Sequence, residues 1–371
     1  MTLLAVQYLE SNPGDSADSR QVVRERLRVA LCMMPISLVL IGWEAPEPVL
    51  DICRQETDRF GAKLFRWHPL LTGDGDFIPR PEWQTIGPGG EKVPGFRGMP
   101  EFTFVCPNHR AVQAAVLAHL QKSLETEQYD GVFLDRIRFP SPAADPARWL
   151  SCFCEACHEA AGDIGLDLAA VKDTLQRLFG TAVSTQGLLD ILVRPALEEP
   201  ESHDISLVDR FLKFRMTSVN SFVTTAANLI KNKGLEVGLD TFSPSLTRMV
   251  GQDLGALDEQ CVWIKVMSYG HALGPSGLPF ETLDLANWLI KRYGKTESEA
   301  LMMVSKALQH SLPASLNALG KHGVEPGVLL EEMEHGRSAG VSCLLIATCP
   351  MIWGVFVFRF FLGLGVALMT L

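Results

Sequence analysis

DGVFLDR, residues 130–136, is an apolar run from Gly131 to Leu134 that ends on a carboxylate, Asp135. A strand that is apolar on both faces belongs in a parallel sheet covered by helices, and an acidic residue at its end is costly to bury unless it is paired or working. Working outward, the same kind of run recurs upstream as SLVLIGW (37–43), KLFRWHP (63–69) and EFTFVCP (101–107). Downstream it recurs as LEVGLDTF (235–242), CVWIKVMSY (261–269) and VSCLLIAT (341–348). Helical patterns alternate with these strands. One opens at Pro46-Glu47-Pro48 and runs to about Phe60. A second, His109–Glu127, places Val112, Ala115, Val116, His119 and Leu120 on one stripe. A third, Val208–Lys233, is long and amphipathic.

Strand alternating with helix predicts an α/β fold, a (β/α)8 TIM-type barrel. Residues 137–234 form a helical insertion after strand 4. Thr2–Tyr8 or part of the C-terminal tail is expected to supply the eighth strand, and the C-terminal end is atypical: either the last β/α unit is lost and replaced, leaving the barrel incomplete, or the tail closes it in an unusual way. Residues 1–350 are assigned to the barrel and 351–371 to an apolar tail. A doubly wound sheet lacks support, because no strand leads into GxGxxG or a Walker loop; GPGG at 87–90 reads as a flexible loop.

Lys and Arg total 33 against 43 Asp and Glu, a net charge of −10 spread without charged tails. That balance argues against nucleic acid as a partner, since such affinity rests on neutralising phosphates. No export signal is recognisable at the start, where Met1–Leu9 is short and runs into SNPGDSADS. With nine cysteines, an odd number, a reducing cytoplasm is the expected location. The tail MIWGVFVFRFFLGLGVALMTL (351–371) has one charge, Arg359, and is long enough to span a bilayer, which takes ~20 apolar residues. Membrane contact is expected only through this tail, whose alternatives are a buried last strand and helix or a segment foreign to the fold.

Polar groups collect where the strands end, the face on which such barrels hold their ligands. Asp135 is read as a catalytic carboxylate, or else as a structural partner of Arg138, which shares its face if the strand continues while Arg136 points the other way. Asp240, in VGLDTFSPSL, repeats the pattern one strand later, or serves as a turn residue before Ser243-Pro244. Two carboxylates on facing strand ends are what glycosidic cleavage requires, one to attack or activate water and one to protonate the leaving oxygen. Trp43 and Glu44 end the first strand, and Trp67, His68, Trp263 and Tyr269 add aromatic faces on which a sugar stacks, or else are core. Lys265 lies on one face with Tyr269 and needs a carboxylate partner, Asp240 or Asp135. His271, in the next loop, closes over a ligand or is a surface histidine. Asn108 ends the third run.

CFCEACHE (152–159) holds Cys152, Cys154, Cys157 and His158. Thiolates at C-x-C-x-x-C spacing can converge on zinc with a fourth ligand from elsewhere; free thiols packed at a helix start are the other reading, and the metal assignment stays open.

Taken together, RWHPLLTGDG (66–75), FVCPN (104–108), GVFLDRIRFPSP (131–142), CFCEAC (152–157), LDTFSPSLTRMVGQD (239–253) and WIKVMSYGHALGPSGLPFE (263–281) resemble the uncharacterised bacterial glycoside-hydrolase-like barrel proteins. The resemblance runs from about Ser37 to Phe280, with an extension toward Gly340, and implies a (β/α)8 barrel with a carbohydrate substrate; the hydrolase reading calls for no organic cofactor. A more distant similarity is to the α-galactosidase (melibiase) clan, whose nucleophile is an Asp ending the fourth strand, the position of Asp135. That clan's acid/base is an Asp on a later strand, for which Asp240 is the candidate although it follows the fifth strand rather than the sixth.

The expectation is therefore a glycoside hydrolase with Asp135 as nucleophile and Asp240 as general acid/base. Trp43, Glu44, Trp67, His68, Asn108, Arg138, Lys265, Tyr269 and His271 are expected to line its pocket. Its rivals are a non-catalytic carbohydrate-binding barrel, tethered through 351–371, and a zinc-dependent hydrolase using the cysteine cluster.

Overall fold

The computed structural model describes residues 4–8, 17–74, 76–125, 128–180, 185–194, 202–347 and 364–369. Seven strands, β1 (Leu4–Tyr8), β2 (Ile36–Ile41), β3 (Lys63–Pro69), β4 (Gly131–Asp135), β5 (Glu236–Thr241), β6 (Trp263–Val266) and β7 (Leu344–Ala347), pair in chain order. All six pairings between them are parallel, giving a curled sheet. A short β8 (Leu364–Met369) pairs antiparallel with both β7 and β1. Eight parallel strands are therefore not seen, a departure from the (β/α)8 expectation. The rest of the apolar tail, 351–363 and 370–371, lies outside the described residues.

Helices cover the outer face. α1 (Ala17–Met33), α2 (Glu47–Phe60) and α3 (Arg110–Ser123) precede β4. Between β4 and β5 come α4 (Pro146–Trp149), α5 (Glu155–Gly162), α6 (Leu168–Gly180), α7 (Thr185–Val193) and the 29-residue α8 (His203–Lys231). After β5 follow α9 (Leu254–Asp258), α10 (Leu278–Tyr293), α11 (Glu297–Leu308), α12 (Leu316–His322) and α13 (Pro326–Ser338). α2 shows how local sequence sets these limits. Pro46 precedes it, Glu47 lies in its first turn, and Gly61 at φ 68° ends it by returning its N–H to the Asp58 and Thr57 carbonyls. No helix among the described residues is long and apolar enough to cross a membrane.

One expected strand is absent. EFTFVCP (101–107) forms a 3-10 turn, Pro100–Phe102, and a single bridge from Val105 to Gln84, because β3 and β4 pair directly. β1 takes its place in the count, so Asp135 still ends the fourth strand and Asp240 still lies on the fifth.

Side-chain alternation divides the sheet into two faces. Val132, Leu134, Leu239 and Ile264 join the large outer core beneath the helices. Ala5, Leu38, Leu40, Phe65, Phe133, Trp263 and Leu345 form a separate core inside the curl. Its aromatic plug fits because two strand positions carry no side chain. A Cβ on Gly131 would lie 2.3 Å from the Phe65 ring, and one on Gly238 would lie 2.1 Å from Trp263. Phe65 and Phe133 stand 5.4 and 5.2 Å from Trp263, and Trp67 stands 5.8 Å from Phe133. This column fills the interior below the strand ends and forms the floor of the site.

Candidate active site

Phe133 points into the curl, so Asp135, two residues on, does too; by the same alternation so do Asp240 and Lys265. The register sets them side by side. Leu134 pairs with Leu239, and Asp240 pairs directly with Lys265. Asp135 keeps 7% of its surface exposed, whereas Asp240 and Lys265 are buried at 2% and 0%.

Asp135 is held by two donors. Trp67 Nε1 donates to Oδ2 at 2.9 Å, and the Arg136 backbone N–H donates to Oδ1 at 2.5 Å. The strand stops here and Arg136 takes φ 53°, so alternation no longer governs and the expected outward course of Arg136 is corrected. Its guanidinium lies 5.3 Å from the Trp43 ring and 4.4 Å from Phe102, with Nε 3.9 Å from Asp135 Oδ2. Nη1 donates to Thr72 Oγ1 at 2.9 Å and to the Gly73 carbonyl at 3.1 Å. Trp43 meets Trp67 edge-on at 5.2 Å, which joins two expected aromatic residues above Asp135.

Lys265 Nζ donates to Asp240 Oδ2 at 2.7 Å, while Asp240 Oδ1 has no hydrogen-bond partner among the described residues. Burial pushes the Asp240 carboxyl up to about 7; Lys265 pulls it down and the nearby charge of Asp135 adds to the rise. Burial opposes the Lys265 ammonium, but Asp240 and Tyr269 more than offset it and hold its pKa above the ordinary lysine value. The ammonium sits 5.4 Å from the Phe133 ring and 5.3 Å from Tyr269. Burial also pushes the Tyr269 hydroxyl up.

Arg138 links these carboxylates to a cleft. Its guanidinium is sandwiched between Phe104 and Phe242, 4.4 Å from each ring, and Nη2 donates to Ser276 Oγ at 3.2 Å. Burial lowers its pKa to about 10, partly countered by Glu281, Asp135 and Asp240. The adjoining cleft, of about 160 Å³, is walled by Phe96, Phe102, Phe104, Trp149 and Phe280, with Arg138, Ser141, Glu281 and Asp284 as its polar groups.

Glu281 is a site candidate that sequence reasoning missed. It accepts from the Ser276 N–H at 2.9 Å and from the Ser141 hydroxyl, and burial raises its pKa. Its sequence signal was weak, a single acid in the first turn of α10, where acids are common for dipole reasons alone. Gln7, buried on β1 with its Nε2 unpartnered among the described residues, faces the curl by alternation with Ala5 and was also missed.

The structure thus brings together Asp135, Asp240, Trp43, Trp67, Arg138, Lys265 and Tyr269. Other expected residues lie elsewhere. His68 has the opposite parity to Trp67 and is buried on the outer face, 5.3 Å from the His119 ring; burial and the His119 charge hold its pKa near 3. His119 in turn meets Asp74 Oδ2 at 2.6 Å. Asn108 is turned away from the strand ends, donating to Cys157 Sγ at 3.3 Å and Ser218 Oγ at 3.0 Å. Glu44 and His271 are exposed.

Among the described residues, three groups of side chains are close enough to share a metal ion: His68, Asp74 and His119; His310, Glu332 and His335; and Cys106, Cys152, Cys154 and Cys157. None includes Asp135 or Asp240. His158 is exposed and outside the cysteine group.

Comparison with solved structures finds proteins of similar fold. The PgaB (BpsB) glycoside hydrolase domain from Bordetella bronchiseptica is similar over 91% of both chains at 14% identity, with a TM-score of 0.50. A β-galactosidase from the psychrophilic Marinomonas ef1 matches 91% of this chain and 59% of its own, at 12% identity and a TM-score of 0.44. Alpha-L-fucosidase isoenzyme 2 from Paenibacillus thiaminolyticus matches 83% and 49%, at 13% identity and a TM-score of 0.41. No family model and no curated protein matches the sequence.

Proposed function

We propose that this chain is a glycoside hydrolase whose catalytic face lies at the C-terminal ends of the parallel strands, with 137–234 as an insertion walling that face and the tail 351–371 supplying β8. One observation carries the reading. Two carboxylates end neighbouring strands on the inner face, and their surroundings drive them apart in character. Asp135 keeps slightly more exposure than Asp240, 7% against 2%, and accepts two hydrogen bonds, which suits a nucleophile. Asp240 is buried, with its carboxyl pushed up to about 7 and one oxygen unpartnered, which suits an acid that must hold a proton near neutrality. Glycoside cleavage requires two such carboxyl groups, one to attack or activate water and one to protonate the leaving oxygen. The proposal also takes up the similarity to the α-galactosidase clan, in which the fourth-strand Asp attacks the anomeric carbon. Trp43, Trp67 and Tyr269 would stack on the sugar, with Arg138 and Lys265 placing charge beside it. The reaction needs no organic cofactor. A cytoplasmic location agrees with the eight cysteines of the described residues, all free thiols.

A second reading, a non-catalytic carbohydrate-binding barrel, is favoured by two facts. The aromatic cleft is lined by Glu281 and Arg138 rather than by Asp135 or Asp240, and Asp240 is tied up with Lys265.

Release of the aryl group from a panel of α- and β-aryl glycosides, with wild type beside Asp135→Asn, separates the two. A hydrolase turns over at least one glycoside and loses on the order of 10³-fold or more in Asp135→Asn while the fold is retained by circular dichroism. A binding module turns over none.

A further inference from the structure

The cysteine cluster has no part in the proposed hydrolysis, and its geometry asks for an occupant. Cys106 lies between the loop after β3 and α3, in a segment 46 residues upstream of Cys152 by the numbering. Cys152 and Cys154 precede α5, and Cys157 lies in its first turn. Four sulfur atoms from these two distant segments all fall within 4.8 Å of one another. Cys106 Sγ is 3.4 Å from Cys157 Sγ and 3.5 Å from Cys154 Sγ. All four are free thiols.

We propose that Cys106, Cys152, Cys154 and Cys157 bind one zinc ion as a structural site. Zinc–thiolate bonds of about 2.3 Å in a tetrahedron put the sulfurs about 3.8 Å apart, which is the scale of this cluster. An iron–sulfur cube holds its cysteines further apart than this. The surroundings also suit sulfur that carries negative charge. The Ile86 backbone N–H points at Cys152 Sγ from 3.3 Å, and Asn108 Nδ2 donates to Cys157 Sγ at 3.3 Å, the kind of outer hydrogen bond that orients thiolate ligands. The guanidinium of Arg215 is fully buried and interacts electrostatically with Cys152 and Cys157, which would offset part of the excess charge of four thiolates on a divalent ion.

Four protein ligands leave no open position, so this zinc cannot activate water, and the zinc-hydrolase reading of the cluster is set aside. Its role is to brace. Phe104, two residues before Cys106, and Trp149, three before Cys152, both wall the aromatic cleft, and Phe104 covers one face of Arg138. The metal would fix these two walls to each other across a stretch where few backbone ladder bonds do so. Cys106 completes a set in which the sequence alone offered His158 as a neighbour; the signal was a C-x-C-x-x-C run one ligand short and a lone cysteine in FVCPN.

The test uses the full-length chain expressed with zinc in the medium, followed by metal analysis of the purified protein. About one zinc per chain is expected, lost in Cys154→Ser and kept in Cys32→Ser, an exposed cysteine outside the cluster. Because Cys154→Ser can fail to fold, wild type alone is also stripped with a chelator and titrated with cobalt. A charge-transfer band together with the visible bands of tetrahedral tetrathiolate cobalt is expected, saturating at one equivalent. Folded wild type that carries no zinc and gives no such spectrum would overturn the proposal. So would zinc content unchanged in a folded Cys154→Ser, or cobalt bands of a site with fewer sulfurs.

Discussion

Asp240 and Lys265 face each other in register at 2.7 Å, and the sign of their coupling makes the acid assignment testable. With the Asp240 carboxyl at about 7, the proton needed by a general acid is present below that pH and lost above it. The kcat/KM of the wild type should therefore fall on an alkaline limb centred near pH 7, and Asp240→Asn should lack that limb. Lys265→Met removes the charge that pulls the carboxyl down, so the limb should move to higher pH; a move to lower pH would contradict the pairing. At this scale the sequence was informative where alternation holds. It put Asp135 and Asp240 at strand ends and Lys265 on the face of Tyr269, and it anticipated that the lysine needs a carboxylate. It misplaced His68, which period-two spacing alone would have set on the opposite face from Trp67. Its placement of Arg136 depended on the strand continuing, and the stop at Asp135 was not legible because a positive φ at a strand end has no signature in a residue of that type.

Among the elements, the strands around the aromatic plug are the least tolerant of change. Gly238→Ala would drive a Cβ to 2.1 Å from the Trp263 ring across the β5–β6 register. Overpacking of this kind costs about 1–3 kcal/mol, seen as a lowered denaturation midpoint. Gly162→Ala, at the end of α5 with nothing within 4 Å, should leave the midpoint nearly unchanged. A second joint ties α13 to the 3-10 turn Pro244–Val250 that follows Asp240. Buried Glu332 accepts from the Ser245 N–H at 3.1 Å and from the Ser245 hydroxyl, and meets His310 Nε2 at 2.5 Å, while His310 Nδ1 lies 2.9 Å from Glu331. Burial lowers the His310 pKa, but the bonds to Glu332 and Glu331 outweigh it and the net shift is upward. Stability from this pair is then fully present below the ordinary histidine pKa and is lost as pH rises through the raised one. Unfolding followed by denaturant across neutral pH should show that decline in wild type and a flatter, lower curve in Glu332→Gln.

Strand order was legible because each strand is a self-contained apolar run. The identity of EFTFVCP was not, because its apolar residues serve a loop packed on the outer core. Phe104, Val105 and Cys106 are all buried there, which gives them the same pattern as a strand. Nothing local distinguishes a run that pairs with neighbours from one that lines a cleft.

Across the whole molecule, the segment between β4 and β5 is fastened to the 3-10 turn that follows β5 by a buried cation as well as by apolar contact. Arg215 on α8 donates to the Ser151 carbonyl and, at 2.9 Å, to the Met249 carbonyl, with its guanidinium 4.8 Å from the Phe139 ring. Burial lowers its pKa to about 9. Arg215→Ala removes two buried hydrogen bonds and the packing around them, a loss of about 3 kcal/mol or more, measurable as a lowered unfolding midpoint. Such long-range anchors join Ser151, Arg215 and Met249 across about a hundred residues by the numbering, and no sequence period reports them. The same holds for Cys106 meeting the later cysteines and for Glu281 reaching the cleft.

Dependence on the leaving group tests the proposed division of glycosidic cleavage between Asp135 as nucleophile and Asp240 as acid. Two aryl glycosides of the same sugar, one with a good leaving group and one with a poor one, would be compared in wild type, Asp135→Asn and Asp240→Asn. Loss of an acid that protonates the leaving oxygen costs about 10²–10⁴-fold with the poor leaving group and far less with the good one. Loss of the nucleophile slows both alike. That pattern is the predicted result. Equal loss on both glycosides in Asp240→Asn would contradict its role as the acid, and wild-type turnover in Asp135→Asn would contradict the account as a whole.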